Sequence, residues 1–474
     1  MKPTEAKQRP VGFASWKVLL GSIVLWKCLL LAVAALAPGP GYDTSALILA
    51  NPELNRYEKF ENSTILGNSA LKLFRWDALY FVEAAKRNKV YEQEWAFSWA
   101  YSHILRRATE RKSVLHIGLF SKDVEPPLGT YLWVSVFVSI VMHWASVASL
   151  FSLLNQVMST PSGNPISFVA CVLHIVSPAG IFLVAPYAES MFAALNIYGM
   201  LCYVRSRCGV IPSQDRTVKQ DIMLLASGCM FACAAMIRGN GLLSGLIFVS
   251  DVASSALRIL KGRTIRNELR LVAVTCVAGV LLALGFVFPQ YVAFKEYCTT
   301  AGGVTRPPWC EKTIPSIYSW VQSKYWNVGF LRYWTIPNLP LFLLAAPVLW
   351  LLLQSSATYL RNSKNELLGF AHISHGNSLT KPTGTKRVSN NFPQLVLPQL
   401  ALALAAATSF HVQIINRISS GYPLWYLSVA KSATASESSN QRSKVGFSFQ
   451  IVVRGMIMYV IIQAALYASF LPPA

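Results

Sequence analysis

An all-α polytopic membrane protein is the fold class this sequence predicts, on three observations. Of its 474 residues, 53% are hydrophobic and only 13% charged, too little polar surface to cover a water-soluble globule. Apolar stretches recur that approach or exceed the ~20 residues a helix needs to cross a bilayer. Lys and Arg sit between these stretches, not on one continuous basic face. The formal charge of +21 is therefore read by the positive-inside rule, and no nucleic-acid partner is expected.

In chain order, residues 1–17 form a cytoplasmic N-terminus carrying Lys2, Lys7, Arg9 and Lys17. Residues 18–37 are the first transmembrane anchor. The run is longer than an ordinary signal-peptide core and ends in Pro-Gly-Pro without a small-residue cleavage pattern, so it reads as uncleaved. Residues 38–127 are a large first lumenal loop, far beyond the ~12–15 residues of an ordinary connection. It holds about half of the chain's 21 acidic residues and its sequon, Asn62-Ser63-Thr64, a glycosylation acceptor.

Spans at 128–158, 166–185, 187–204, 222–237, 242–257 and 271–294 make a transmembrane bundle over 128–294. A second lumenal loop covers 295–335. Residues 336–474 supply C-terminal spans at 336–360, 392–415 and 447–470 around a cytoplasmic basic loop, 361–391. Alternation puts Arg205, Arg207, Arg216 and Lys219 on the cytoplasmic side. The same holds for the cluster from Arg258 to Arg270 and for Arg361, Lys364, Lys381, Lys386 and Arg387. Residues 422–429 are too short to span, and the side of the C-terminus stays open. The count comes to roughly 9–11 transmembrane helices.

Most of the nine cysteines fall in apolar segments, where a buried thiol is unremarkable, but Cys298 and Cys310 share the second lumenal loop. A disulfide and two free thiols both fit that pattern. No Cys/His metal spacing, Gly-rich phosphate loop or internal repeat is visible, so neither a metal nor a cofactor is expected.

The first loop contains "LKLFRWDALYFVEAAKRNKVYEQEWAFS", a concentration of aromatics and acids in a chain that otherwise avoids carboxylates. Residues 78–89 have the periodicity of an amphipathic helix. Asp77 just ahead of them reads in two ways: as that helix's N-cap, under an aromatic lid on the bilayer interface, or as the carboxylate base of a lumenal active site. A base of this kind would take the proton from an acceptor hydroxyl attacking a lipid-linked phosphosugar, and the departing phosphate would need cationic donors. Arg238 in "MIRGNG" and Arg332 in "YWNVGFLRYW" are candidates, with interfacial snorkelling as the alternative for each. Lys27 and Asp251 are ionisable groups at membrane depth, and a helix-to-helix pair suits them equally well. His174 reads as a packing residue. Glu189, His411, Gln413, Asn416 and Arg417 either line the site or simply end their helices near it.

Six strings make the sequence familiar: "RWDALYF" with "YEQEWAF", then "SPAGIFLVAPYAES", "IRGNGLLSGLIF", "PSIYSWVQSKYWNVGFLRYW" and "HVQIINRISSGYPLWY". In that order they resemble the dolichyl-phosphate-mannose-dependent GPI mannosyltransferase family, in particular its fungal-type members that add the second mannose. The resemblance implies a GT-C glycosyltransferase of the endoplasmic reticulum membrane. It implies transfer of an alpha-1,6-linked mannose from dolichyl phosphate mannose to the GPI glycolipid precursor, by a single inverting displacement with one general base and no metal. The family's Trp-Asp pair falls on Trp76 and Asp77, making Asp77 the candidate catalytic carboxylate. Arg75, Trp76, Glu94, Glu189, Arg238, Arg332 and His411 are the candidate substrate-binding residues. Animal members resemble Phe-Phe-Pro after the "AF" where this chain has Ser98-Trp99-Ala100, which leaves 97–100 without an assigned role.

Acceptor choice is not legible in the residues, nor is a need for an accessory membrane subunit. Another dolichyl-phosphate-sugar transferase, acting on the Asn-linked oligosaccharide precursor or in protein O-mannosylation, shares most of these features. A polytopic lipid transporter is the remaining class. It would typically show repeat symmetry with broken helices at matched positions, and the sequence has no such repeat.

Overall fold

The computed structural model describes residues 12–38, 45–50, 65–115, 126–158, 164–208, 215–261, 265–299, 306–362, 392–438 and 449–471. Asn62 and the basic residues Lys364, Lys381, Lys386 and Arg387 lie outside the described residues. So do Lys2, Lys7 and Arg9. Among the described residues, seven helical segments are long and apolar enough to cross a membrane: Trp16–Leu36, Leu128–Val157, Val218–Ile237, Gly239–Leu260, Ile265–Thr299, Ile336–Asn362 and Phe449–Ala468. The protein is a multi-pass, all-helical membrane protein.

Helix α1 (Gly12–Leu36) is apolar on nearly every face, as a lipid-exposed span requires. Its Lys27 is buried and donates to the Leu183 carbonyl at 3.0 Å, so the ammonium serves a backbone acceptor at a helix break. The described part of the first loop is helical, not extended. It folds into α2 (Ile65–Leu73), α3 (Asp77–Arg87) and α4 (Trp99–Leu115). The amphipathic pattern expected over 78–89 is α3, but its apolar face does not lie on a bilayer surface. Ala78, Phe81, Val82 and Ala85 are buried, and α3 packs against α4 and the long span α5 (Leu128–Val157).

The expected span at 166–185 is broken in two. Helix α6 (Pro165–Ile175) starts cleanly, with Asn164 Oδ1 accepting the Ile166 amide at 2.9 Å and Pro at its first position. It stops short because Pro178 lacks an amide to continue the ladder, and the chain then turns at Gly180, φ +42°. A Cβ at Gly180 would lie 2.5 Å from Gln463 Oε1, so the turn packs too tightly against the last helix for any other residue. After the 3-10 turn Gly180–Leu183, α7 (Glu189–Arg207) runs buried on nearly all sides against α5 and α8 (Val218–Ile237). Helix α8 in turn packs on α10 (Ile265–Phe294), with α9 (Gly245–Leu260) alongside. The α8–α10 crossing is close because small residues meet there: a Cβ on Gly228 would sit 2.7 Å from the Ala278 carbonyl oxygen.

At the end of the bundle where the basic loops were expected, arginines are paired and not merely solvated. Asp221 accepts from Arg216 at 3.1 Å and Arg270 at 2.7 Å, and Glu268 accepts from Arg258 at 2.8 Å. Asp251 takes the Tyr203 hydroxyl at 2.8 Å and pairs with Arg207, the helix-to-helix role left open for it. His174 is a packing residue, its Nε2 2.7 Å from Ser146 Oγ and its ring edge-on to His143.

The second loop contains α11 (Ile317–Trp326), docked on the first. Trp95, Trp309, Ile317, Val321 and Cys298 share a small separate core, and Glu92 accepts the indole protons of Trp309 at 3.0 Å and Trp320 at 3.3 Å. Cys298 and Cys310 form a disulfide. Beyond α12 (Leu339–Asn362), the expected span at 392–415 is also interrupted. Helix α13 (Leu397–Thr408) gives way to short turns over Val412–Ile414, Ile415–Ile418 and Ser419–Gly421. The chain then enters α14 (Leu424–Ser438), a buried helix where only a short apolar patch had been read, and ends on α15 (Phe449–Ala468) against α1. Residues 422–429 sit inside the bundle, so Tyr422, Trp425 and Tyr426 need no lipid to bury them.

The disulfide gives a direct test. Thiol mass-tagging of the unreduced, unfolded chain is expected to add seven labels, and nine after reduction. Replacing Cys298 by Ser is expected to destabilise the lobe built from the second loop by ~2–4 kcal/mol, read as faster proteolysis within 295–335.

Candidate active site

Asp77 is the first residue of α3, not its cap. Trp76 occupies the cap position and makes no side-chain cap hydrogen bond. The Asp77 carboxylate turns away from the helix amides and pairs with Arg417, 2.7 Å from Oδ2. The turn that aims it is unusual. Trp76 has φ 54° and ψ −128°, a conformation that a bulky residue adopts only when its surroundings impose it. Here two tyrosines impose it. The Tyr187 hydroxyl accepts the Asp77 amide at 3.1 Å and donates to the Arg75 carbonyl at 3.4 Å. The Tyr467 hydroxyl is shared between the carbonyls of Leu73 at 2.8 Å and Arg75 at 3.1 Å.

Arg417 comes from the broken stretch between α13 and α14, and its guanidinium lies over the faces of Phe182 (5.3 Å) and Tyr187 (5.6 Å). Its Nε is 3.3 Å from Glu189 Oε1. Glu189 opens α7, and the same Oε1 accepts from Arg238 at 2.6 Å. Four elements distant in sequence thus meet in one alternating row, Asp77–Arg417–Glu189–Arg238. Exposure grades along it: the Glu189 side chain is 1% accessible, those of Arg417 and Arg238 are 16% and 18%, and that of Asp77 is 27%. Asp77 is the member an incoming molecule reaches first.

The row brings together three of the candidate site residues named from the sequence, Asp77, Glu189 and Arg238, with Arg417, which the sequence placed among the polar residues near a helix end. The others lie elsewhere. Glu94 binds the turn ahead of it, with Arg87 at 2.5 Å and the amides of Val90 and Tyr91 at 2.7 and 3.2 Å on its oxygens. Arg75 is buried beneath the Trp76 turn with its guanidinium 4.6 Å over Phe470, and Trp76 packs on that same ring. His411 donates from Nε2 to the Trp326 carbonyl at 2.9 Å and stacks on Tyr333. Arg332 is exposed, reaches only Ser323 Oγ at 3.4 Å, and has no acidic partner among the described residues. Among the described residues no group of three or more His, Cys, Asp or Glu converges as a metal site.

Arg417 was the residue hardest to rank from sequence. It stood among several polar residues near a helix end, although its one signal, a cation within an apolar stretch, was present. Tyr187, Tyr467 and Phe182 carried no signal at all, because buried aromatics are ordinary in a membrane bundle.

Buried, paired charges beneath helices packed on apolar spans suit a membrane-embedded enzyme, and the chain's family makes it a glycosyltransferase. Residues 16–474 match the profile of the mannosyltransferase (PIG-V) family, and the chain belongs to that family. Among curated proteins it is similar to GPI mannosyltransferase 2 of Aspergillus oryzae, 37% identical over 460 residues, covering 95% of this chain and 94% of that one. The Gibberella zeae protein of the same name is 36% identical over 476 residues and matches all of both chains. Among solved structures, the Archaeoglobus fulgidus oligosaccharyltransferase aligns at TM-score 0.47 and 11% identity, over 96% of this chain and 56% of that one.

The loop beside the site has a pH signature. Burial pushes the Lys89 ammonium down to about 7, against the pull of Glu94 and Glu296 and with the push of Arg87. Its hydrogen bonds run to the carbonyls of Glu94 at 2.5 Å and Phe97 at 2.9 Å. Between pH ~7 and ~10 the unfolded chain carries the extra proton, so this group's destabilising effect is full below pH 7 and fades as pH rises. The melting temperature of the detergent-solubilised protein is expected to climb between pH 7 and 9. Lys89→Met should flatten that climb.

Proposed function

We propose that this mannosyltransferase transfers the second, alpha-1,6-linked mannose of the GPI precursor from dolichyl phosphate mannose, on the lumenal side of the endoplasmic reticulum membrane. The observation that carries the reading is the Asp77 carboxylate, the most open member of a buried charged row, held at an imposed turn with arginines beside it. The names of the relatives support the acceptor and the pathway step.

In this mechanism the acceptor hydroxyl attacks C1 of the mannose, the C1–O bond to the phosphate breaks with inversion, and the hydroxyl proton passes to Asp77. Negative charge builds on the departing dolichyl phosphate. Arg238, at the end of α8 and partly exposed, is the cation we assign to it, with Glu189 fixing its direction. Trp76 contributes by its backbone, which sets the direction of Asp77. Glu94 keeps the loop folded and His411 supports the second loop, each as a positioning residue. Arg332 serves as an interfacial anchor ahead of α12.

Isolated membranes given radiolabelled dolichyl phosphate mannose and a one-mannose GPI acceptor test the assignment. Asp77→Asn keeps the shape and can still face Arg417, but its amide cannot take a proton. Turnover is expected to fall ~10²–10⁴-fold with unchanged protein level. Glu94→Gln should instead lower the amount of folded protein while leaving turnover per folded molecule within about twofold of wild type, since it loosens a turn and touches no reacting atom. Near-normal transfer by well-expressed Asp77→Asn would remove the base from the mechanism.

The two arginines separate by kinetics. Arg238→Gln is expected to raise the donor KM roughly 10–100-fold, the loss of one charge-assisted hydrogen bond. Arg332→Gln should leave it within about twofold. Equal effects of the two substitutions would return Arg332 to the donor site.

A further inference from the structure

Two guanidiniums converge on a single oxygen, Glu189 Oε1, while among the described residues the other, buried oxygen of that carboxylate and Arg417 Nε itself have no hydrogen-bond partner. Buried polar atoms are nearly always satisfied, so Arg417 Nε is a donor open to a further acceptor. Arg417 is also the member best built to shift. It sits in the four-residue helix Ile415–Ile418 between two 3-10 turns, and its guanidinium rests on aromatic faces that attract a cation without fixing its direction.

We propose that Arg417 is a charge-following switch: paired with Asp77 in the free enzyme, it transfers to the phosphate of the lipid donor as the reaction proceeds. The inference rests on the reading of Asp77 as base and of a phosphate-linked donor. The charge balance gives its reason. A glycosyl phosphodiester carries one negative charge. When the C1–O bond breaks, the bonding pair leaves with the phosphate, which gains a second, and the acceptor proton neutralises Asp77. One unit of negative charge therefore passes from Asp77 to the phosphate, and the total within the site is unchanged. A cation shared between the two follows that unit, while Arg238 stays on Glu189 as the stationary half of the clamp. In the free enzyme the same pairing occupies the base, so that Asp77 is freed only when a phosphate is present to take Arg417.

If Asp77 and phosphate compete for Arg417, removing the charge at Asp77 must strengthen phosphate binding, and by linkage the two effects are reciprocal. The experiment measures binding of dolichyl phosphate and of dolichyl phosphate mannose to the purified full-length protein. It compares wild type, Asp77→Asn, Arg417→Gln, Arg417→Lys and the Asp77→Asn/Arg417→Gln double variant, with melting temperatures as the folding control. Asp77→Asn is expected to tighten dolichyl phosphate about tenfold and the mannosyl donor less, because the product carries the transferred charge. Arg417→Gln should weaken dolichyl phosphate, Arg417→Lys should retain part of the affinity, and in the double variant Asp77→Asn should add nothing. Unchanged or weaker binding by Asp77→Asn overturns the switch, as does a gain that persists without Arg417. Should Arg417→Gln not fold, the same comparison in the Arg417→Lys background decides, with a reduced gain expected and an undiminished one overturning the proposal. Failure of wild type to bind either lipid would overturn the donor assignment itself, and the switch with it.

Discussion

A carboxylate buried at the head of α7 holds two arginines far apart in the chain, Arg238 and Arg417, and the arrangement of the site depends on that shared charge. Glu189 is almost wholly inaccessible, so an unpaired negative charge there would be strongly unfavourable in a low-dielectric interior. Arg238 and Arg417 neutralise it, and in doing so they draw the end of α8 and the broken stretch after α13 to the same point. Asp77 completes the row from the first loop. Removing one member would leave its neighbours with uncompensated charge, which is why the four are best regarded as a unit.

The helix breaks follow from the same requirement. An unbroken helix satisfies its own backbone and presents only side chains, whereas a turn within a bundle brings backbone and side chain together from a short segment. Two predicted spans, 166–185 and 392–415, are interrupted where they approach the row. The break in the first supplies Phe182, which with Tyr187 just beyond it forms the aromatic seat, and the turns that follow the second carry Arg417, which rests on it. The freed backbone groups find partners nearby: Lys27 and Ser190 both donate to the Leu183 carbonyl, and Asn196 donates to that of Gly421 at 2.9 Å. Polar residues deep in the bundle that looked like candidates for chemistry are thus in part what allows the helices to stop.

The lobe formed by the two large loops has a different logic. Its core is small and aromatic, closed by a disulfide and by two indole hydrogen bonds to Glu92. This core ties the second loop to the turn Glu92–Ala96 of the first, while α3 packs on α4 and α5 beside the strained turn at Trp76. Such strain persists only where the surroundings over-determine it, and Tyr187, from the connection ahead of α7, and Tyr467, from α15, do so.

Several features were legible in the residues alone. Composition and apolar run length determined a multi-pass helical protein, because the bilayer sets one length and tolerates few charges. The Trp-Asp pair marked the first loop, since a chain poor in carboxylates concentrated them there. What hydropathy could not determine was where a run of apolar residues stops being one helix, because Pro178 and the Ser409 region end helices without changing the average. Nor could it recognise α14 as a helix, because its neighbours are protein and not lipid. The pairing of Asp77 with Arg417, and of Glu189 with two arginines at once, was decided only by tertiary structure. Each of those contacts joins residues from separate helices, and a charge's partner depends on which side chains the fold brings within a few ångströms, a distance that sequence spacing does not encode.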